Sequence, residues 1–226
     1  MNVCDTSKAT HFNPGCALSI YKPDTAQKLF ELLRKEFNEI SLHKICCHNN
    51  PKVPEGSVII NVCAGCDKRF RSLYEGVSTF SVWEFLDSAD NFVFPDYSGL
   101  TMSIQDPCPV RPRTGIHNAV RSLLRKMNIS IVETKHHGEN SICCGDGLYP
   151  DAPIDIIHNQ MKTRADSMPC EEVCVYCVSC IKSMHIGGKK PRYLVDLIMN
   201  DSTEPQVFDT EQWHGILQEY RSKHSE

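Results

Sequence analysis

An α/β protein of two pseudo-repeated small domains, with mainly parallel strands and flanking helices, is what the sequence predicts. Three observations lead there. Ten of the thirteen cysteines fall into two copies of one pattern: a lone Cys, an adjacent Cys-Cys pair, then a CxxC. Short β-branched runs alternate with apolar stripes of helical spacing in both halves. The order of these segments around the cysteines is the same in each half. The expected domains are residues 1–100, the shorter in its middle, and 101–226, with the boundary near residues 95–101.

The first copy holds Cys16, Cys46, Cys47, Cys63 and Cys66. After Cys16, Asp24-Thr25-Ala26-Gln27 reads as a helix start with an acceptor at the cap and Gln three residues on. Leu29, Phe30, Leu33 and Phe37 then form one apolar stripe. Ile40–Ile45 predicts a short strand running into Cys46-Cys47. The β-branched run 57–62 predicts a buried strand leading into Cys63-Ala64-Gly65-Cys66. A helix is expected next, followed by the apolar segment 82–86.

The second copy holds Cys108, Cys143, Cys144, Cys177 and Cys180. Met102–Gln105 alternates like a strand before Asp106-Pro107-Cys108. Thr114 is a candidate cap for a helix whose apolar face is Ile116, Val120, Leu123, Leu124 and Met127. A strand over 129–132, a helix over 156–165 and a strand over 172–176 follow, the last feeding Cys177-Val178-Ser179-Cys180. The segment 193–198 parallels the one at 82–86.

Composition narrows the function classes. The chain has 226 residues, a net charge of -4 and 41% hydrophobic residues. The charge offers no basic excess for nucleic acid. No run is long and apolar enough for a membrane span, and the first residues lack the pattern of a secretory signal. A soluble, cytoplasmic protein is therefore expected. In a reducing compartment an odd, large cysteine count points to metal ligation or redox chemistry, whereas disulfide scaffolds belong to short secreted chains.

The spacing suits thiolate ligation. A CxxC between a strand and a helix lies near backbone N–H groups and the positive helix end, which favour thiolate. The Cys-Cys pair directs two sulfurs from one turn, the lone Cys enters from another loop, and Gly145 would allow close backbone approach. Five thiolates exceed what one tetrahedral zinc accepts, which favours a multi-iron cluster.

These residues resemble the cysteine-rich CCG domain family typified by the CCG-bearing component of heterodisulfide reductase, also found in iron–sulfur subunits of glycolate and lactate oxidation systems. The resemblance spans nearly the whole chain as two tandem domains. It is most specific in copy two, at Gln105-Asp106-Pro107-Cys108, Cys143-Cys144-Gly145-Asp146-Gly147, the segment Asn159-Gln160-Met161-Lys162-Thr163-Arg164-Ala165, and Cys177-x-x-Cys180. It implies an oxidoreductase acting on sulfur groups, with a noncubane [4Fe-4S] cluster in each copy held by that copy's five cysteines. A small disulfide would be reduced, or thiols oxidised, with the open cluster iron rather than a side chain as the reactive centre. The chain has neither a Rossmann glycine fingerprint nor a complete ferredoxin motif. Electrons are therefore expected to pass to or from a partner protein, ferredoxin-like or flavoprotein, in a hetero-oligomer.

Copy one departs from the family pattern. His48 stands where Gly is usual, and 15 residues separate Cys47 from Cys63, against 32 between Cys144 and Cys177. The missing stretch is expected to be a helix and its loops. Zinc in the first site, with His48 as a substitute ligand, is one alternative. The others are electron relay for a flavin dehydrogenase and a zinc-stabilised interaction module.

Cys170-x-x-x-Cys174-x-Tyr176-Cys177 matches a radical-SAM spacing but lacks the long βα series that must follow, and Cys174-x-x-Cys177-x-x-Cys180 lacks the fourth ferredoxin Cys. Cys174 reads as a buried strand residue, and Cys4 and Cys170 as spare thiols. His136-His137-Gly138 with Glu139 is a candidate proton source, set against a solvated loop. Lys189, Lys190 and Arg192 read as a solvated loop that an acidic partner could meet. Trp83 is expected in the core and Trp213 facing a partner.

Overall fold

A computed structural model describes residues 8–37, 39–89, 92–205 and 209–225. Cys4 lies outside the described residues. The α/β class is as the sequence predicts, with two four-stranded, wholly parallel sheets flanked by helices. The chain divides into two units: Met1–Ser88 with Gly215–Glu226, and Ala89–His214.

In the first unit the order along the chain is β1 (Thr10–Asn13), α1 (Gly15–Tyr21), α2 (Pro23–Glu36), β2 (Ile40–Leu42), β3 (Val58–Asn61), α3 (Ala64–Leu73), β4 (Ser78–Ser81) and α4 (Val82–Ser88). The sheet order is β2-β1-β3-β4. Its core includes Phe12, Leu18, Leu29, Leu33, Ile59, Ile60, Phe70 and Trp83, all buried. Trp83 is thus a core residue, as expected. α2 begins one residue before the expected cap, with Pro23 in its first turn, and Gln27 bonds Glu31 instead of capping. Proline fits there because the first helical N–H has no intrahelical acceptor. Phe37 falls beyond the helix and packs on Phe85, ring centroids 5.4 Å apart.

The second unit runs β5 (Thr101–Gln105), α5 (Thr114–Lys126), β6 (Ser130–Ile131), α6 (Ile154–Asp166), β7 (Glu172–Val175), α7 (Val178–Ile186), β8 (Lys190–Tyr193) and α8 (Leu194–Ile198). Its sheet order, β6-β5-β7-β8, repeats that of the first. The α5 stripe of Ile116, Val120, Leu123, Leu124 and Met127 is fully buried. Thr114 opens α5 without capping it; its hydroxyl donates to Glu139 at 2.7 Å. No described element separates β2 from β3, whereas α6 separates β6 from β7. The missing helix of copy one is the counterpart of α6.

A last helix, α9 (Thr210–Lys223), is shared: residues through His214 count with the second unit and those from Gly215 with the first. Trp213 is buried in the second unit, where its indole N–H donates to Ser179 Oγ at 3.1 Å. That corrects the expectation of a partner-facing Trp213. No helix among the described residues is long and apolar enough to cross a membrane.

Candidate metal centres

Both sheets reverse their winding between the two central strands, β1/β3 in one unit and β5/β7 in the other. In open α/β sheets the crevice beyond the carboxyl ends of strands at such a switch point is where ligands bind. Each unit puts its five cysteines there. Cys16 follows β1, Cys46-Cys47 lies beyond β2, and Cys63 follows β3 immediately before α3. Cys108, Cys143-Cys144 and Cys177 hold the same places after β5, β6 and β7.

The thiols act on one another's acidity in the same order in both units. Each thiol shifts its neighbour's acidity in the order Cys16, Cys46, Cys47, Cys66, Cys63. In the second unit the matching order is Cys108, Cys143, Cys144, Cys180, Cys177. The Cys180 thiol donates to Cys144 Sγ at 3.4 Å. All ten are free cysteines. The structure therefore brings each predicted set of five together, with Cys170 and Cys174 outside both.

The first Cys of each pair is the natural thiolate. Thiol donors from Cys16 and Cys47 and the backbone N–H of His48 hold Cys46 well below the usual thiol range despite burial. Cys143 is held down likewise by Cys108, Cys144 and the backbone N–H groups of Gly145 and Gly147. Their donors Cys16 and Cys108 are pushed up, since each gives its proton to that shared anion. Cys63, at the mouth of α3, is lowered by the Cys66 thiol and by the N–H groups of Cys66 and Gly65.

Gly15 is what lets the first set close. Its φ is +76°, and a Cβ there would stand 2.8 Å from Cys63 Cβ and 3.4 Å from Cys66 Sγ. Gly145 does something else. A Cβ on it would meet Met161 Cγ at 2.8 Å and Ile157 O at 3.1 Å, so it accommodates α6 rather than the sulfurs. His48 is tolerated at the matching place because the first unit lacks that helix.

The distinctive residues of copy two form its scaffold. Asp106, fully buried, accepts two bonds from Arg121 at 3.2 and 2.9 Å, one from the Tyr176 hydroxyl at 2.6 Å and one from Gly138 N–H at 2.6 Å. Burial raises its pKa, but these donors more than offset that and hold the carboxylate below its usual range. Gln105 donates to Ile142 O at 3.1 Å and accepts from Arg164 at 2.6 Å. From α6, Gln160 donates to Cys143 O at 3.3 Å. Buried Lys182 pairs with Asp146 at 2.6 Å, and His214 approaches the same carboxylate at 3.3 Å.

Other expectations change. The carbonyl of His136 accepts from Arg164 and Gly138 N–H binds Asp106, so this loop is tied to the scaffold through its backbone. Lys189 donates to the carbonyls of Met168 and Cys170, and Lys190 and Arg192 pair with Glu171 and Glu172 on or beside the strands. Lys189 and Arg192 are thus tied down within the unit, whereas Lys190 and its partner Glu171 are both exposed, as a solvated segment would have them. Cys174 is fully buried in β7, where burial raises its thiol pKa, and Cys170 donates its backbone N–H to Ser103. The radical-SAM spacing therefore has no common site.

Apart from His48, sequence reasoning missed the surroundings of the first set. His48, Lys68, Arg69 and Arg221 line a cavity of about 360 Å³ with Cys16, Cys47, Cys63 and Cys66. A second cavity of about 260 Å³ reaches Cys16, Cys46, Cys47 and Cys66 past Asn13, His43, Tyr220 and His224. His224 O accepts the Cys46 N–H at 3.0 Å, so the end of α9 and the turn after it cover the Cys-Cys turn. The helical spacing of Trp213, Ile216, Leu217 and Tyr220 was the available signal for α9.

Among the described residues, no group of three or more His, Cys, Asp or Glu is arranged to hold a single metal ion. No family model matches the chain, and no curated protein does. A solved structure, aspartate racemase of Picrophilus torridus, is similar over 96% of this chain and 100% of its own, at 9% identity and a TM-score of 0.32. A likeness that slight carries no argument.

Proposed function

We propose that this chain is an iron–sulfur oxidoreductase component of the heterodisulfide reductase type, which reduces a small disulfide or oxidises thiols at CCG-held clusters. The observation that supports it most is the repeated thiol order: lone Cys, first of the pair, second of the pair, second of the CxxC, first of the CxxC. The donor set fits a multi-iron group better than one ion. A single zinc accepts four ligands, whereas each set supplies five thiols, which several irons could share.

Cys16, Cys46, Cys47, Cys63 and Cys66 would hold one [4Fe-4S] cluster, and Cys108, Cys143, Cys144, Cys177 and Cys180 the other. Such a cluster supplies one-electron chemistry and an iron to which a substrate sulfur can bind. The chain's own part is to keep the thiolates aimed and deprotonated. Gly145, Gly147, Cys66 and Gly65 present N–H groups to sulfur, and the Asp106–Arg121–Tyr176 network fixes the loop that carries Cys108. Reduction of one disulfide consumes two electrons and two protons and releases two thiols. Those electrons come from a reduced carrier protein, of flavoprotein or ferredoxin type, in a hetero-oligomer.

Anaerobic purification with iron, sulfide and zinc analysis tests this reading first. Iron and sulfide near four each per cluster are expected; stoichiometric zinc without sulfide would replace the redox reading with a zinc-stabilised module. Thiol-dependent change in the oxidised EPR spectrum is also expected, and its absence with intact clusters would leave electron relay.

A further inference from the structure

The cleft beside the first thiol set has an unusual charge. Lys68, Arg69 and Arg221 line it, with His48 at its edge, and none of its lining residues is acidic. This occurs on a chain of net charge -4, so the local excess is not a by-product of composition. Neither arginine makes an ion pair among the described residues, and the Nε atoms of both are buried without a hydrogen-bond partner. A buried guanidinium nitrogen left unsatisfied is costly, and an anion is the partner that restores it.

Compensation of the thiolates alone does not account for this. The second thiol set faces the same electrostatic demand, yet its nearby cations are committed. Lys182 is paired with Asp146, and Arg164 is bonded to Gln105, Ser167 and the His136 carbonyl. Only in the first unit, among the described residues, do arginines stand open beside sulfur. Arg221 is close enough for its charge to bear on Cys16, Cys63 and His48.

We propose that this cleft binds the anionic group of a small thiol or disulfide, with Arg69 and Arg221 as its counter-charges and its sulfur directed at the Cys16, Cys47, Cys63, Cys66 set. The inference rests on the redox reading of that site and adds the substrate's chemical class. Lys68 and His48, both exposed, form the rim. The carboxylate and the phosphate are equivalent to such a pair of forks, so the class is an anionic thiol.

Isothermal titration of the anaerobically purified protein with 3-mercaptopropionate and with 3-mercapto-1-propanol tests it directly, since the two differ in charge at one end. The anionic thiol should bind roughly tenfold or more tighter, as one charge-assisted contact implies. Arg69→Gln and Arg221→Gln should each erase most of that preference while leaving the neutral thiol's affinity unchanged, and the Lys variants should restore part of it. Propionate and inorganic phosphate should compete. Equal affinity of the two thiols for the unaltered protein, or binding of neither, would overturn the inference without reference to any variant's folding. EPR recorded on the same samples separates the two claims. A spectrum moved equally by both thiols, with equal affinities, overturns the anion site and keeps the redox reading. Charge-dependent binding with a motionless spectrum keeps the anion site, removes thiol chemistry at the cluster and leaves electron relay.

Discussion

Gly145 and His48 follow the Cys-Cys pairs of the two units, and what each touches explains why they differ. Gly145 has φ +106° and Met161 against the place a Cβ would occupy, 2.8 Å away. Gly145→Ala should therefore destabilise the second unit by about 2–3 kcal/mol, read from denaturant unfolding. His48→Gly should cost little, since no helix presses there. Asp106→Asn replaces a buried carboxylate that four donors hold by a neutral amide, while Arg121 keeps Glu133 at 2.6 Å, and a loss on the order of 2–3 kcal/mol is expected by the same measurement. His43 carries a pH signature. It is buried on Phe70 with its ring centroid 5.6 Å away and Nε2 unpaired, and burial first, then the His11 ring beside it, lowers its pKa to about 4. The folded pKa lies below the unfolded one, so the stability from this group is complete above about pH 6.5 and is lost as pH falls toward 4. His43→Phe should flatten that acid slope by on the order of 2 kcal/mol in unfolding curves taken between those values. An unchanged slope would assign it to His11 or to carboxylates.

Among the elements, the two thiol-bearing loops differ in what covers them. α6 packs against the Cys143-Cys144 turn, with Gln160 on the Cys143 carbonyl. The first unit has no counterpart, and the end of α9 takes over through His224 O. A chain ending at Arg221 should expose the Cys46 amide, raising its hydrogen exchange roughly tenfold or more while β1 and β3 keep their protection. The sequence made α2, α3, α5, α6 and the strands β2, β3, β5, β6 and β7 legible because their apolar residues repeat at clear periods or run in β-branched blocks. It hid β4 and β8, whose Ser78–Ser81 and Lys190–Tyr193 carry few β-branched residues and, in β8, two cations and Pro191. β1 was hidden likewise, since Thr10–Asn13 buries only its last two residues. The cysteine sets were legible because ligand spacing is local. The cationic cleft was not, because Arg221 reaches Cys16 and Cys63 from far along the chain.

For the whole molecule, each thiol set is built within one unit, so the two centres should load separately. Cys47→Ser and Cys144→Ser should each remove about half the iron and sulfide, with the remaining EPR signal intact and the double variant empty. Loss of everything in either single variant would mean the two sets assemble as one. The C-terminal segment adds an order in time. The first unit's Cys-Cys turn is closed by His224, so a ribosome making this chain completes that unit only after residues 89–214 have been threaded through. The domain that is synthesised first is thus finished last, and until then its five thiols stand open to oxidants and to whatever delivers metal.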